Sequence, residues 1–270
     1  MKKIIILALS VTTLFASCSK SSNEPETTQP TLLLKRITET TDGTPVVNIE
    51  LTYNGKQLTK ASYEKNANGS FAIEHNFTYN SYGQLTGMNV TSTIPQPTYK
   101  KADITYNGND LAQVSFTRYD NTLTKVSYTY NNGKLATEKM ENTGSTINSQ
   151  YTYDASGHNT KQTYSSISGG QTLNGTYEFS TFDDKKSLIS ALPSWIYFKA
   201  YSYDMQGLGD AFGTNNALTG KLTATGGTYP TNETYTYSYT YNSYGYPATM
   251  TRKDNTGSIQ SFSYDYIEVK

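Results

Sequence analysis

The sequence predicts an all-β fold: a large antiparallel up-and-down meander of about 16 strands, forming one wide single-layer sheet, open or closed like a barrel, with a short helix and a long loop inserted. Three observations predict it. A tyrosine-bearing unit recurs as Leu51-Thr52-Tyr53-Asn54-Gly55, Phe77-Thr78-Tyr79-Asn80, Ile104-Thr105-Tyr106-Asn107-Gly108, Tyr128-Thr129-Tyr130-Asn131 and Tyr151-Thr152-Tyr153-Asp154. It returns at Tyr201-Ser202-Tyr203-Asp204 and Tyr239-Thr240-Tyr241-Asn242, with a glycine-less relative at Thr181-Phe182-Asp183-Asp184. Over residues 234–241, Tyr and Thr or Ser alternate strictly, a period only a strand has. A second set of turn signals, including Asp120-Asn121, Gly169-Gly170 and Asn255-Thr256-Gly257, falls midway between the units, so turns line two rims.

The first element is a targeting segment rather than part of the fold. Lys2 and Lys3 precede an apolar run over 4–16 that is too short for a mature transmembrane helix, so 1–17 reads as a secretory signal. Phe15-Ala16-Ser17-Cys18 resembles the lipobox of bacterial lipoproteins, which implies lipidation (palmitate) of Cys18, the single cysteine of the chain. Residues 18–31 are rich in Ser, Thr and Pro without apolar periodicity and read as a flexible tether. The folded part is one repeat-built domain over 32–270.

Within that domain Tyr replaces the usual aliphatic core. After residue 17, Leu, Ile, Val and Phe make up 40 of 253 residues, too few for an ordinary core, whereas Tyr numbers 25. Rings with polar ends suit a sheet face that stays partly wet, as in a wide, incompletely filled barrel. After each unit the apolar residues step by three and then by two: Leu58, Ala61, Tyr63; Leu85, Met88, Val90; Leu111, Val114, Phe116; and Leu135, Glu138, Met140. A step of three cannot stay on one face of a regular strand, so each unit calls for a bulge or a turn-edge position for the leucine. Two stretches break the pattern. Asp183 is placed to cap a short helix over 185–191, ended by Pro193, before the all-apolar 195–198; the Gly-rich run 208–220 reads as an inserted loop. Together they define an insertion over 183–232.

The units are similar to the tyrosine-aspartate repeats of the RHS type. With the lipobox, the Phe212-Gly213-Thr214-Asn215-Asn216 run and the closing segment ending at Pro247, the chain resembles a Bacteroidetes lipoprotein family of unknown function with a porin-like fold. That resemblance implies a large β meander on an outer-membrane lipoprotein; the acidic residues soon after Cys18 resemble surface-export signals. It carries no catalytic residues to transfer. A membrane-spanning barrel is disfavoured by the alternation itself, because the strands offer Tyr on one side and Thr, Ser, Lys or Gln on the other, with no apolar lipid-facing band. Attachment is expected through the lipid alone.

Chemistry is less legible. Removing 1–17 takes out Lys2 and Lys3 and leaves 20 basic and 22 acidic residues without clustering, which argues against nucleic acid. His75 and His158 have no metal-like spacing and read as surface or rim residues; Asp154, Asp183, Asp184 and Asp204 sit where turns favour Asp, so no catalytic residue, metal or cofactor is assigned. The candidate ligand-binding residues are aromatic: Trp195, Tyr197 and Phe198 beside the insertion, and Tyr82, Tyr244 and Tyr246 at repeat turns. The expectation is a non-enzymatic, lipid-anchored envelope protein, on the cell surface or facing the periplasm, that binds a glycan, peptide or small molecule through a concave tyrosine face. A structural or adhesive envelope shell is the alternative, and a glycan-active enzyme has the least support.

Overall fold

The computed structural model describes residues 30–41, 44–65, 71–94, 98–192, 213–226 and 231–269. The chain divides into Met1–Pro30 and Thr31–Lys270, and only the second is treated below. Sixteen strands follow in order. The first eight are β1 Thr31–Thr41, β2 Thr44–Asn54, β3 Gln57–Lys65, β4 Phe71–Tyr79, β5 Leu85–Ser92, β6 Tyr99–Asn107, β7 Asp110–Arg118 and β8 Leu123–Asn131. The second eight are β9 Lys134–Asn142, β10 Ser145–Tyr153, β11 Asn159–Ser168, β12 Gln171–Phe182, β13 Ala217–Thr225, β14 Thr231–Tyr241, β15 Pro247–Asp254 and β16 Ile259–Val269. Each pairs antiparallel with its sequence neighbours, and β16 pairs with β1, closing the barrel. The question of open or closed is thereby answered.

The step of three is a β-bulge, as expected. Tyr53 faces Leu58 while Thr52 faces Lys60, leaving Thr59 as the extra residue. The same slip occurs at Thr78/Tyr79, Thr105/Tyr106, Thr129/Tyr130, Thr152/Tyr153 and Thr240/Tyr241. One extra residue resets the pleat, so Leu58 and Ala61 both point inward. The seam obeys the same rule, since Leu34 faces Tyr266 and Arg36 faces Asp265. The closing pair β16–β1 is therefore a unit in its own right. The unit expected at Tyr203 lies outside the described residues, and the barrel reaches sixteen strands without it.

In a single-layer closed sheet only the inward face can be covered, and that face carries the core. Leu51, Phe77, Ile104, Tyr128, Tyr151 and Tyr264, each two residues before a bulge tyrosine or its seam equivalent, are buried in one continuous cluster. Tyr63, Tyr235 and Tyr237 join them. The bulge tyrosines are half-buried, and at three of them the hydroxyl donates to the carbonyl of the residue opposite the previous bulge: Tyr53 to Leu34 at 2.6 Å, Tyr79 to Leu58 at 2.7 Å and Tyr266 to Pro247 at 2.6 Å. The tyrosine face is thus only partly covered, as expected, although some of its hydroxyls are satisfied within the wall. Hydroxyls need not reach water when a carbonyl one hairpin earlier accepts them.

Three expectations are corrected. His75 is neither at the surface nor on a rim; it alternates with Ile73 and Phe77 on the inward face, fully buried, its ring 4.6 Å from that of Tyr63. Burial pushes its imidazole down to about 3. The helix is a single 3-10 turn, Leu188–Ala191, preceded by Ser187, and Asp183 does not cap it because its carboxylate is engaged by Lys185 N–H and Asn216. Within the span taken as insertion, β13 and the start of β14 are barrel strands. Gly220 looked like a loop residue, yet it is the position where a side chain would meet the Tyr237 hydroxyl at 3.2 Å and the Phe179 ring at 3.3 Å.

Candidate functional site

The turns β2–β3, β4–β5, β6–β7, β8–β9, β10–β11 and β14–β15 share one rim with the segment between β12 and β13, the start of β1 and the end of β16. Local chemistry shapes this rim. In the longer turns the leading Asn or Asp folds its side-chain oxygen back onto the backbone: Asn80 Oδ1 accepts the N–H groups of Tyr82 and Gln84, and Asn242 Oδ1 accepts those of Tyr244 and Tyr246. These turns lift the tyrosines above the sheet. Tyr82 stands at a tip, 88% exposed. Tyr244 donates its hydroxyl to Glu268 at 2.6 Å, and this hydrogen bond, ahead of desolvation, raises its phenol above the ordinary value. The Tyr246 ring lies 5.6 Å from that of Tyr266, with Lys186 Nζ 4.7 Å from its centre.

Tyr244 and Tyr246 are therefore brought together, whereas Tyr82 stands on a separate turn of the same rim. Trp195, Tyr197, Phe198 and Cys18 lie outside the described residues. The rings of the repeat tyrosines face the inside of the barrel.

A polar knot missed by sequence reasoning ties the segment after β12 to its neighbours. Asp183 accepts from Lys185 N–H at 3.0 Å, from Asn216 N–H at 3.1 Å and from the Tyr241 hydroxyl. Burial, followed by that carboxylate contact, raises the Tyr241 phenol. Lys186 N–H donates to Gly245 O, fixing the segment to the β14–β15 turn. On the other side His158 Nε2 meets Asn215 Oδ1 at 3.0 Å and Nδ1 meets Asp154 Oδ2 at 2.8 Å, while its ring stacks on Phe182 at 4.3 Å. Asp154 and Asp183 spend their oxygens on turn and loop groups, the role that turn chemistry predicts; Asp204 lies outside the described residues. The departure of the Thr181-Phe182-Asp183-Asp184 relative from the repeat was the available signal for this knot. Among the described residues no three His, Cys, Asp or Glu side chains are grouped to hold a metal.

The outward face is hydroxylated and charged. Arg36 lies between Glu50 at 2.9 Å and Asp265 at 3.6 Å, and Lys60–Glu74, Lys139–Glu141 and Lys161–Glu178 pair at 2.7, 2.7 and 3.3 Å. Thr129 and Thr137, or Thr240 and Thr249, join hydroxyls across strands between them.

Fold and wall together define a closed, up-and-down, sixteen-stranded β-barrel protein with an aromatic interior. One solved structure shares this fold, and a second is more distant. A porin-like protein from Bacteroides vulgatus ATCC 8482 is similar with a TM-score of 0.57 and 9% identity, over 87% of this chain and 98% of that one. A porin-like protein from Bacteroides uniformis ATCC 8492 gives a TM-score of 0.42 and 13% identity, over 87% and 96% of the two chains. At such identities the likeness to the first is one of fold alone. No protein-family model matches the chain, and no curated protein does.

Proposed function

We propose that the protein is a non-enzymatic binding protein of the bacterial outer membrane, held by a lipid on Cys18, with its barrel standing in water. The observation that carries this reading is the polarity of the wall. Arg36, Lys60, Lys101, Lys139 and Lys161 all point outward among Thr and Ser, and a cationic side chain on a lipid-facing strand costs about 2–4 kcal/mol near the bilayer midplane. The porin-like fold supports an envelope setting, and the apolar run before Cys18 supports export. Because the repeat tyrosines are spent on the interior, ligand contact falls to the outside, where the rim aromatics Tyr82, Tyr244 and Tyr246 are placed to stack on a sugar, peptide or small aromatic ligand. The buried interior also favours a second reading, a structural shell that presents its rims to other envelope proteins.

Cys18→Ala tests the anchor by fractionation: the variant is expected in the soluble fraction, and its retention in washed membranes would show that the barrel itself inserts. Tyr82→Ala and Tyr244→Ala separate the two readings, since lost capture of a small ligand supports binding, while lost co-purification of an envelope protein alone supports the shell.

A further inference from the structure

We propose that the outer wall over β10–β13 is a binding groove for an uncharged oligosaccharide. This rests on the reading that the wall faces water and is independent of the rim. A depression of about 390 Å³ lies there, within the ~300–1,000 Å³ range of small-ligand sites. Cross-strand register assembles its floor. Gln150, Thr163 and Thr176 stand opposite one another in one row, and Asn148, Ser165 and Asn174 in the next. β13 extends both rows with Thr223 and Thr225. Four strands at about 4.8 Å spacing make a floor about 14 Å wide.

The inward face explains why the wall is concave there. Beneath the floor the inward row runs Ser149, Tyr164, Gly175 and Ala224 across β10–β13, three of the four small, and Gly220 lies further along β13 opposite Phe179. A Cβ on Gly175 would lie 2.2 Å from the Tyr164 ring, and one on Gly220 would lie 3.3 Å from Phe179. The backbone therefore rests directly on rings with no side-chain thickness between, and the outer surface sinks.

The lining chemistry selects the ligand. None of the eight side chains is charged. A row of Lys161, Glu178 and Lys221 borders the floor on one side, its charges alternating along the register. On the other side Ile167 is 46% exposed, flanked by Thr146 and Thr172. Elsewhere the wall hydroxyls and amides engage one another: Thr129 with Thr137 at 2.7 Å, Ser180 with Thr219 at 2.8 Å, Gln113 with Ser127 at 3.2 Å. Among the described residues the eight floor side chains make no such hydrogen bonds with one another, and all eight line the depression. Amides and hydroxyls that both donate and accept match a neutral polyhydroxylated chain, with Ile167 beneath a sugar's apolar face. An anionic ligand would meet no cation in the floor. An extended peptide would find no free strand edge, because every strand here is paired on both sides.

The test uses the purified full chain on an array of neutral oligosaccharides, with acidic glycans and peptides beside them. Neutral glycans are expected to bind, the double variant Asn148→Ala/Asn174→Ala to weaken the hit at least tenfold, and Thr163→Arg to abolish it. Thr129→Ala, on the same wall, and Tyr244→Ala, on the rim, should leave it unchanged, with circular dichroism confirming the fold of each. Loss in the rim variant but not in the groove variants overturns the groove while leaving the binding reading standing; a response to acidic glycans or peptides alone also overturns it. Thr163→Cys, labelled with a membrane-impermeant maleimide in broken membranes, separates the failures. Labelling without glycan binding rejects the groove only, whereas a thiol protected until detergent is added rejects the water-facing wall as well.

Discussion

Tyr79→Phe isolates the bond on which the barrel's interior depends. The substitution keeps the ring and its packing and removes one hydroxyl, whose proton goes to the Leu58 carbonyl at 2.7 Å. A single intramolecular hydrogen bond is worth about 1 kcal/mol net, and a partly buried carbonyl left without its donor adds to the loss, so the expected cost is about 1–2 kcal/mol. For a barrel of this size each kcal/mol lowers Tm by about 2–4 °C. Denaturant unfolding followed by far-UV circular dichroism, with thermal melts beside it, reads both quantities. Tyr82→Phe is the internal control: it deletes the same atom at a position 88% exposed and should stay within about 0.5 kcal/mol of the parent. Equal stability of the two variants would mean that the hydroxyl ladder contributes nothing and that ring burial alone fills the barrel.

His75 gives the acid limb. Its imidazole, held down to about 3 by burial, stays neutral in the fold, while the unfolded chain takes up a proton below about 6.5, so stability present above that pH is lost as pH falls toward 3; His75→Leu should flatten this slope by up to about 4 kcal/mol in urea midpoints measured across the range. The tyrosines give the alkaline limb: burial, ahead of a neighbouring phenol for Tyr79 and of the Asp110 carboxylate for Tyr130, pushes both up to about 12, so the unfolded chain ionises first above about pH 10 and the denaturation midpoint should fall between pH 10 and 12. Gly226→Ala should cost about 2 kcal/mol or more, since its φ is +87° and a Cβ would lie 2.3 Å from the Thr172 carbonyl oxygen; Gly133→Ala, with φ of +73° and open space around it, should cost less in the same melts.

The strands were legible because their signals are local. Alternation over 234–241 and Asn-Gly turns such as Asn54-Gly55 each lie within a few residues, and even the bulge shows as a step of three. The seam was not legible, because Leu34 and Tyr266 meet across the whole chain and no turn announces them. His75 was readable in principle from its alternation with Ile73 and Phe77. The acceptors of the tyrosine hydroxyls were not legible for a nonlocal reason, since the acceptor for Tyr53 belongs to Leu34 on another strand. Of the site, the turn tyrosines could be named but not grouped. Tyr246 gains its cationic neighbour Lys186 only because the segment after β12 folds back onto Gly245. The groove was hidden because each strand supplies only two of its residues, although β10, which contains no charged residue at all, carried a trace of it.

Low aliphatic content and a wide barrel have one cause. Barrel diameter grows with strand number, and side chains the size of Val or Leu fill an eight-stranded interior but not one of sixteen strands. Tyr reaches further, and its polar end can be carried inside where a bulge presents a carbonyl to receive it, as for Tyr53, Tyr79 and Tyr266. The same dependence acts in reverse. Where the inward positions shrink to Gly175, Gly220 and Ala224, nothing holds the wall away from the rings of Tyr164, Phe179 and Tyr237, and the wall follows them inward. A change confined to the buried face thus sets the relief of the exposed one. Replacing Gly175, where a Cβ would lie 2.2 Å from the Tyr164 ring, with alanine should flatten the groove without altering any of the eight side chains that line it, and glycan binding should weaken with the depression.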